Sequence, residues 1–128
     1  MKIISGFLKG RKLAGYHIAG TRPTMDRIKE SLFAMIQDYV KDSVCLDLYA
    51  GSGNLGIEAI SNGAEKCFFV DANSKMIAVL KDNVERFEIA SFCEIWNTTD
   101  EKALKRLERE QIAVDLVFLD PPYKTDYV

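Results

Sequence analysis

Three glycines with the spacing G-x-G-x-x-G lie between a run of apolar residues and a predicted helix. They are Gly51, Gly53 and Gly56. Glycine lets the backbone turn sharply after a strand and approach a ligand closely. Asp71 follows Gly51 by 20 residues and ends the next apolar run, where a carboxylate can bind both hydroxyls of a ribose. Together these residues predict a site for a nucleoside cofactor.

Asp47, four residues before Gly51, indicates which cofactor this is. A carboxylate beside the loop would repel the pyrophosphate of NAD or FAD, whereas S-adenosylmethionine has no phosphate and carries an ammonium and a sulfonium. We therefore predict S-adenosylmethionine, with NAD, FAD or a loop that binds no ligand as alternatives. The residues assigned to the cofactor in this segment are Asp47, Ala50, Gly51, Ser52 and Gly53.

A polar corner, residues 97–100, ends a third apolar run. In a parallel α/β sheet such a corner lies near the adenine, and we assign Thr99 and Asp100 to cofactor binding. Either residue also suits the start of the following helix, because short oxygen-bearing side chains accept the free amide hydrogens there. The two interpretations are compatible.

The tetrapeptide Asp120-Pro121-Pro122-Tyr123 follows a fourth apolar run and is the most specific signal in the chain. An exocyclic base amine is a poor nucleophile, since its lone pair is delocalised into the ring. The Asp120 carboxylate and the Pro121 carbonyl can accept its two N–H bonds and turn the lone pair toward a methyl group, while the prolines stiffen the turn. Tyr123 offers a flat face for an extruded base. We therefore assign these four residues to catalysis of amine methylation.

The elements that must position these residues alternate between strand and helix. Short apolar runs separated by helices indicate a parallel sheet that is buried on both faces. The sequence predicts an α/β fold, a Rossmann-like doubly wound sheet preceded by a β-hairpin (strands 2–7 and 12–18) and a helix capped by Thr24. We expect one domain over 1–128, made of a basic hairpin arm (1–23), a leading helix (24–41) and an α/β core (43–128). The predicted core strands are 44–49, 67–70, 92–96 and 114–119, and the predicted core helices are 54–62, 73–87 and 100–111.

Composition and charge exclude several classes of protein. With 48% hydrophobic and 28% charged residues in 128, the chain has a globular composition, and it has neither a membrane-length apolar run nor a signal-peptide pattern. Cys45, Cys67 and Cys93 lie too far apart for a zinc or disulfide pattern, so we expect core cysteines, no metal, no membrane partner and a cytoplasmic location. Residues 1–29 carry a net +6 and the remainder −8, which predicts that the arm contacts phosphate; the alternative is a charged hairpin that only water surrounds.

Six segments in this order resemble the RsmD-type bacterial 16S rRNA guanine-N2 methyltransferases. The N-terminal segments narrow the resemblance to this family, because the glycine loop and the Asp-Pro-Pro-Tyr corner are shared by amino-methyltransferases generally. The segments are IISG (3–6), GRKL (10–13), TRPT (21–24), DRIKESLF (26–33), LDLYAGSG (46–53) and LDPPY (119–123).

The resemblance implies methylation of the 2-amino group of a guanine in 16S rRNA, within the small ribosomal subunit or its assembly intermediate. It further implies that Arg22 and Thr24 lie close to S-adenosylmethionine. The arm cations would meet RNA phosphates, and we assign this role to Lys9, Arg11, Lys12 and Arg27. The alternatives are an amino-methyltransferase of DNA adenine or protein glutamine, and an RNA-binding module without catalysis.

Members of this family continue beyond the Asp-Pro-Pro-Tyr strand with further helices and strands. Here the sequence ends at Val128, five residues after Tyr123. We therefore expect a chain truncated at its C-terminus, with four of the usual seven core strands, whose fourth strand forms an open edge.

Overall fold

A computed structural model describes residues 1–15 and 22–121, with the backbone alone for 22–24. The predicted alternation of strands and helices is confirmed. A short 3-10 turn, Ala90–Phe92, precedes the third strand. The elements are α1 Arg22–Val40, β1 Val44–Asp47, α2 Asn54–Ser61, β2 Lys66–Val70, α3 Ser74–Arg86, β3 Cys93–Trp96, α4 Asp100–Arg109 and β4 Leu116–Phe118.

The four strands form a parallel sheet in the order β3-β2-β1-β4. Cys45 of β1 pairs with Cys67 of β2 on one side and with Leu116 of β4 on the other. Strand order therefore reverses beside β1, and in open α/β sheets this reversal leaves a crevice at the carboxyl ends of the strands. The predicted fold class is confirmed, and the crevice is where the chemistry-bearing residues were expected.

Both faces of the sheet are buried, as the apolar strands predicted. Cys45, Cys67 and Phe69 belong to one hydrophobic core, whereas Leu46 and Phe68 belong to a second core under α4. Side chains along a strand alternate between faces, which explains the division. The expectation that the cysteines are core residues is confirmed for Cys45 and Cys67, which are fully buried, and Cys93 is half-buried.

Within residues 1–15 the N-terminal arm follows the predicted antiparallel course, but the part of its predicted strands that the structure describes is reduced to a single bridge between Lys2 and Lys12. The cause is Glu58 of α2, whose carboxylate accepts the N–H groups of Ile4 and Ser5 at 3.0 and 2.9 Å. These amides are therefore not free to extend the hairpin. The turn predicted around Gly10 is confirmed, with its N–H donated to the Ile3 carbonyl at 2.8 Å.

The leading helix begins two residues earlier than predicted. Its first residue is Arg22, so the prediction of Thr24 as the helix cap is wrong. Pro23 occupies the first turn instead, where the missing N–H costs no helical hydrogen bond. No helix in the described part of the chain is long and apolar enough to cross a membrane.

Candidate active site

The glycine loop connects β1 to α2, as predicted. Gly53 has φ of 94°, in the left-handed region that favours glycine, and it forms the N-cap of α2. A side chain at Gly56 would place its Cβ 2.3 Å from the ring of Phe69, so this glycine allows α2 to pack directly on β2. The loop therefore turns sharply and holds the helix against the sheet.

Asp71 ties the end of β2 to this loop. Its Oδ2 accepts the N–H of Gly51 at 2.8 Å, and its Oδ1 accepts the N–H of Asn73 at 2.8 Å. Each carboxylate oxygen keeps a second lone pair, which is the arrangement needed to accept hydroxyl hydrogens of a ribose. The predicted convergence of Gly51 and Asp71, 20 residues apart, is thus present in the structure.

The corner after β3 contributes a different set of contacts. Asn97 donates to the carbonyl of Asp71 at 3.0 Å, and Thr99 caps α4 by accepting the N–H of Lys102 at 3.2 Å. Asp100 accepts the hydroxyl of Tyr49 through Oδ2 at 2.7 Å. The capping interpretation of Thr99 is confirmed.

Tyr49 is a residue of this site that the sequence analysis did not single out. Its hydrogen bond to Asp100 raises the pKa of the tyrosine and lowers the pKa of the aspartic acid. The contact joins the loop after β1 to the start of α4, 51 residues away. Its only sequence signal is its position inside the loop, since a pairing over this distance has no periodic pattern.

These residues surround a cleft of about 650 Å³ at the carboxyl ends of the strands. This volume lies within the range of small-molecule sites, about 300–1,000 Å³. The described lining contains three carboxylates and no basic side chain. It consists of Leu48, Tyr49, Gly51, Asp71, Ala72, Asn73, Met76, Thr98, Thr99, Asp100, Asp120 and Pro121.

Asp47 lies beneath the loop and is 2% exposed. Its Oδ2 accepts the N–H of Gly56 at 3.0 Å. Burial raises the pKa of the Asp47 carboxyl to about 7; the Gly56 N–H opposes the shift, and the charges of Asp120 and Asp71 add to it. Three acids therefore converge at the ends of β1, β2 and β4, although Asp47 is not among the described residues that line the cleft.

The remaining predicted site residues fall into three groups. Asp120 and Pro121 line the cleft. The loop residues Ala50, Ser52 and Gly53 are not among the described residues that line the cleft. Pro122 and Tyr123, and the side chains of Arg22 and Thr24, lie outside the described residues.

The predicted RNA-binding cations are exposed, and Arg11 lies at the end of α3 that is far from the cleft. Lys9, Arg11, Lys12 and Arg27 are all exposed. The Arg11 guanidinium lies 4.9 Å from the ring centroid of Phe87 and donates to the carbonyl of Arg86 at 3.2 Å. The cleft contains the opposite end of α3, at Met76, and the ten helical steps from Met76 to Arg86 span about 15 Å.

Lys29, which contributes to the positive count of residues 1–29, is not part of that basic surface. It is 2% exposed and forms an ion pair with Glu58 at 3.0 Å. Burial lowers the pKa of this lysine, and the charge of Glu58 opposes the change. Its role is therefore internal.

Comparison with known proteins bears on this geometry. Residues 1–128 match the family described as conserved hypothetical protein 95. The chain belongs to this family. It is the RsmD family that the sequence motifs resemble.

Relatives in this family cover nearly the whole chain. YlbH of Bacillus subtilis is 44% identical over 124 residues, which are 97% of this chain and 67% of that protein. Ribosomal RNA small subunit methyltransferase D of Haemophilus influenzae is 40% identical over 96% of this chain and 64% of its own length. The chain thus spans about two thirds of the length of the curated relatives it matches.

A solved structure has the same fold. The structure of yhhF from Escherichia coli matches 97% of this chain and 65% of its own chain, with a TM-score of 0.80 and 29% sequence identity. The fold of this chain is therefore also found in a solved structure.

Proposed function

We propose that this chain takes part in S-adenosylmethionine-dependent methylation of the 2-amino group of a guanine in 16S ribosomal RNA. The acidic cleft carries the proposal, with the glycine loop and Asp71 on one side and Asp120-Pro121 on the other. The name of the Haemophilus influenzae relative, a ribosomal RNA small subunit methyltransferase, supports the reaction class and the RNA. The choice of the guanine amine rests on the resemblance of the motifs.

The lining of the cleft fits S-adenosylmethionine better than a dinucleotide. Asp71, Asp100 and Asp120 line it, and none of its other described lining residues is basic. A pyrophosphate would meet only like charge there, whereas an ammonium and a sulfonium are attracted. Asp71 would accept the ribose hydroxyls, and the Asp47 carboxylate beneath the loop would favour the cationic end of the ligand.

When bound, S-adenosylmethionine supplies a methyl group that leaves a positively charged sulfur. The chain's own contribution is to prepare the amine. The Asp120 carboxylate and the Pro121 carbonyl accept its two N–H bonds, which orients the nitrogen lone pair toward the methyl group. As the nitrogen–carbon bond forms, positive charge develops on the nitrogen, and the charge of Asp120 stabilises it. The methylated amine then loses one proton to solvent.

The exposed arm cations would bind phosphates of the same RNA. Because Arg11 lies near the far end of α3, RNA that reaches it must extend over about 15 Å of protein from the cleft residue Met76. Such contacts release counterions, so RNA binding is expected to weaken steeply with salt. This arrangement suits a structured ribosomal RNA or a ribosomal subunit better than a free nucleotide.

The first experiment is calorimetric titration of the chain with S-adenosylhomocysteine, with NAD as the comparison ligand. The proposal expects binding of S-adenosylhomocysteine alone. Binding of NAD alone would refute the cofactor assignment.

The second experiment follows methyl transfer to unmethylated small ribosomal subunits and to naked 16S RNA. Asp120→Ala is expected to abolish transfer while leaving binding of S-adenosylhomocysteine within a few-fold of the unaltered chain, because Asp120 acts on the base. Asp38→Ala, which removes an exposed acid of α1, is the matched control. Transfer by Asp120→Ala at the rate of the control would show that the carboxylate does not hold the amine.

A further inference from the structure

Helix α4 carries a basic stripe that the sequence analysis did not assign. Its members are spaced so that they share one face of the helix, with Ala103 and Leu107 buried beneath a different face. Three of the four are exposed and Arg106 is half-buried. The basic stripe consists of Lys102, Lys105, Arg106 and Arg109.

The basic stripe borders a groove of about 480 Å³ between α4 and the end of β3. The Arg106 guanidinium lies 4.0 Å from the ring centroid of Trp96, at the base of the groove. Thr98 lines both this groove and the acidic cleft, so the two cavities share a wall. A polymer whose target base lies at Asp120 and Pro121 can therefore extend along the cleft to the groove.

Two of the four cations are already paired with acids. Lys105 pairs with Glu101 at 3.2 Å, and Arg106 pairs with Glu110 at 2.6 Å. Lys102 and Arg109 have no ion pair with any residue in the described part of the chain. These two exposed positive charges are therefore available to an anionic partner.

We propose that the basic stripe of α4 is a second RNA-phosphate surface, on which Lys102 and Arg109 bind phosphates of RNA that lies beside the cofactor end of the cleft. The inference rests on the proposed function in taking RNA as the partner. Arg11 of the arm lies near the C-terminal end of α3, whereas Lys102 is in the first turn of α4, directly after the cleft residues Thr98 to Asp100. The stripe therefore supplies phosphate contacts closer to the cleft than Arg11 does.

The test compares two double variants that remove the same charge. Lys102→Gln/Arg109→Gln removes the two unpaired cations, and Lys41→Gln/Lys81→Gln removes two exposed lysines elsewhere. Affinity for a fluorescein-labelled single-stranded RNA is measured by anisotropy over a range of salt concentrations. Each phosphate contact contributes about 0.7 to the slope of log affinity against log salt for a single strand, so losing two contacts lowers the slope by about 1.4.

The expected result is specific to the α4 variant. The ratio of wild-type to variant affinity narrows about sevenfold between about 50 and about 200 mM salt, and the control keeps the wild-type slope. Equal slopes for the two double variants would overturn the inference, as would an absence of RNA binding by the unaltered chain. The stripe would then be a solvated helix face.

The same samples separate this inference from the proposed function. Titration with S-adenosylhomocysteine and methyl transfer by the unaltered chain report on the cleft alone. A slope that depends on α4 without cofactor binding supports the RNA surface and refutes the methyltransferase proposal. Methyl transfer by the unaltered chain, together with a salt slope that the α4 substitutions leave unchanged, supports the methyltransferase proposal and refutes the RNA surface on α4.

Discussion

Replacing Glu58 by alanine should destabilise the chain far more than removing any surface acid. The Glu58 carboxylate is fully buried and pairs with the buried ammonium of Lys29 at 3.0 Å. It also accepts the N–H groups of Ile4 and Ser5 at 3.0 and 2.9 Å, and the Ser5 hydroxyl at 2.8 Å. One side chain therefore neutralises a buried charge and holds the arm on α2.

The size of the effect follows from what Glu58→Ala leaves behind. The Lys29 ammonium keeps two neutral acceptors, the Lys2 carbonyl at 2.6 Å and Asn54 Oδ1 at 2.7 Å, but loses its counter-charge. Removing one partner of a buried ion pair costs about 3–5 kcal/mol. The total free energy of unfolding of a domain is about 5–15 kcal/mol, so a large part of the stability is at risk.

Urea unfolding, followed by the fluorescence of the single tryptophan, Trp96, measures this cost. Trp96 is buried in the second core, away from the substitution, so its emission reports on unfolding. The matched control is Glu101→Ala, which breaks the exposed pair with Lys105 and should cost less than about 1 kcal/mol. The double variant Lys29→Met/Glu58→Ala should recover part of the stability, because it removes the uncompensated charge.

Two results would refute this reasoning. One is a Glu58→Ala variant no less stable than Glu101→Ala, which would mean that the buried pair contributes nothing beyond a surface pair. The other is a double variant less stable than Glu58→Ala, which would mean that the stranded ammonium is not the source of the cost.

Two further predictions concern the acids of the cleft. The pKa of the Asp47 carboxyl is raised to about 7 in the folded chain. Between about pH 4 and about pH 7 the folded chain therefore holds a proton that the unfolded chain has released. The stability that this proton contributes is lost as pH rises through about 7. The urea concentration at the midpoint of unfolding should therefore fall between about pH 5 and about pH 8, and Asp47→Asn should reduce this fall. An unchanged fall would show that another group causes it. Tyr49→Phe removes the hydroxyl that lowers the pKa of Asp100, so carbon NMR of the Asp100 carboxyl should titrate at higher pH. An unshifted titration would mean that the hydrogen bond does not hold this carboxylate.

Much of the fold and part of the site could be predicted, since both depend on local spacing. The alternation of apolar runs with helices sets the parallel sheet, because each type of element needs its own period of buried residues. The glycines and Asp71 lie at strand ends, and all parallel strands deliver their carboxyl ends to one edge. The contact between Gly51 and Asp71 follows from that topology.

Other features depend on pairings that no local pattern encodes. From the sequence, Lys29 is counted among the cations of the basic N-terminal residues. The tertiary structure instead buries it against Glu58, 29 residues away. The same carboxylate accepts the N–H groups of Ile4 and Ser5, so the described part of the predicted hairpin has one bridge. Sequence spacing cannot reveal these contacts, since their partners come from separate elements.

The sequence by itself therefore determined the sheet, the loop and the edge at which the cleft lies. Only the tertiary structure decided how each charge is used. It buried Asp47 under the loop, joined Tyr49 to Asp100, and set Arg11 at the end of α3 that is about 15 Å from the cleft residue Met76, while leaving Lys102 beside the cleft. The physical reason is that secondary structure follows from periodicity along the chain, whereas the environment of a charge depends on which distant residues surround it after packing.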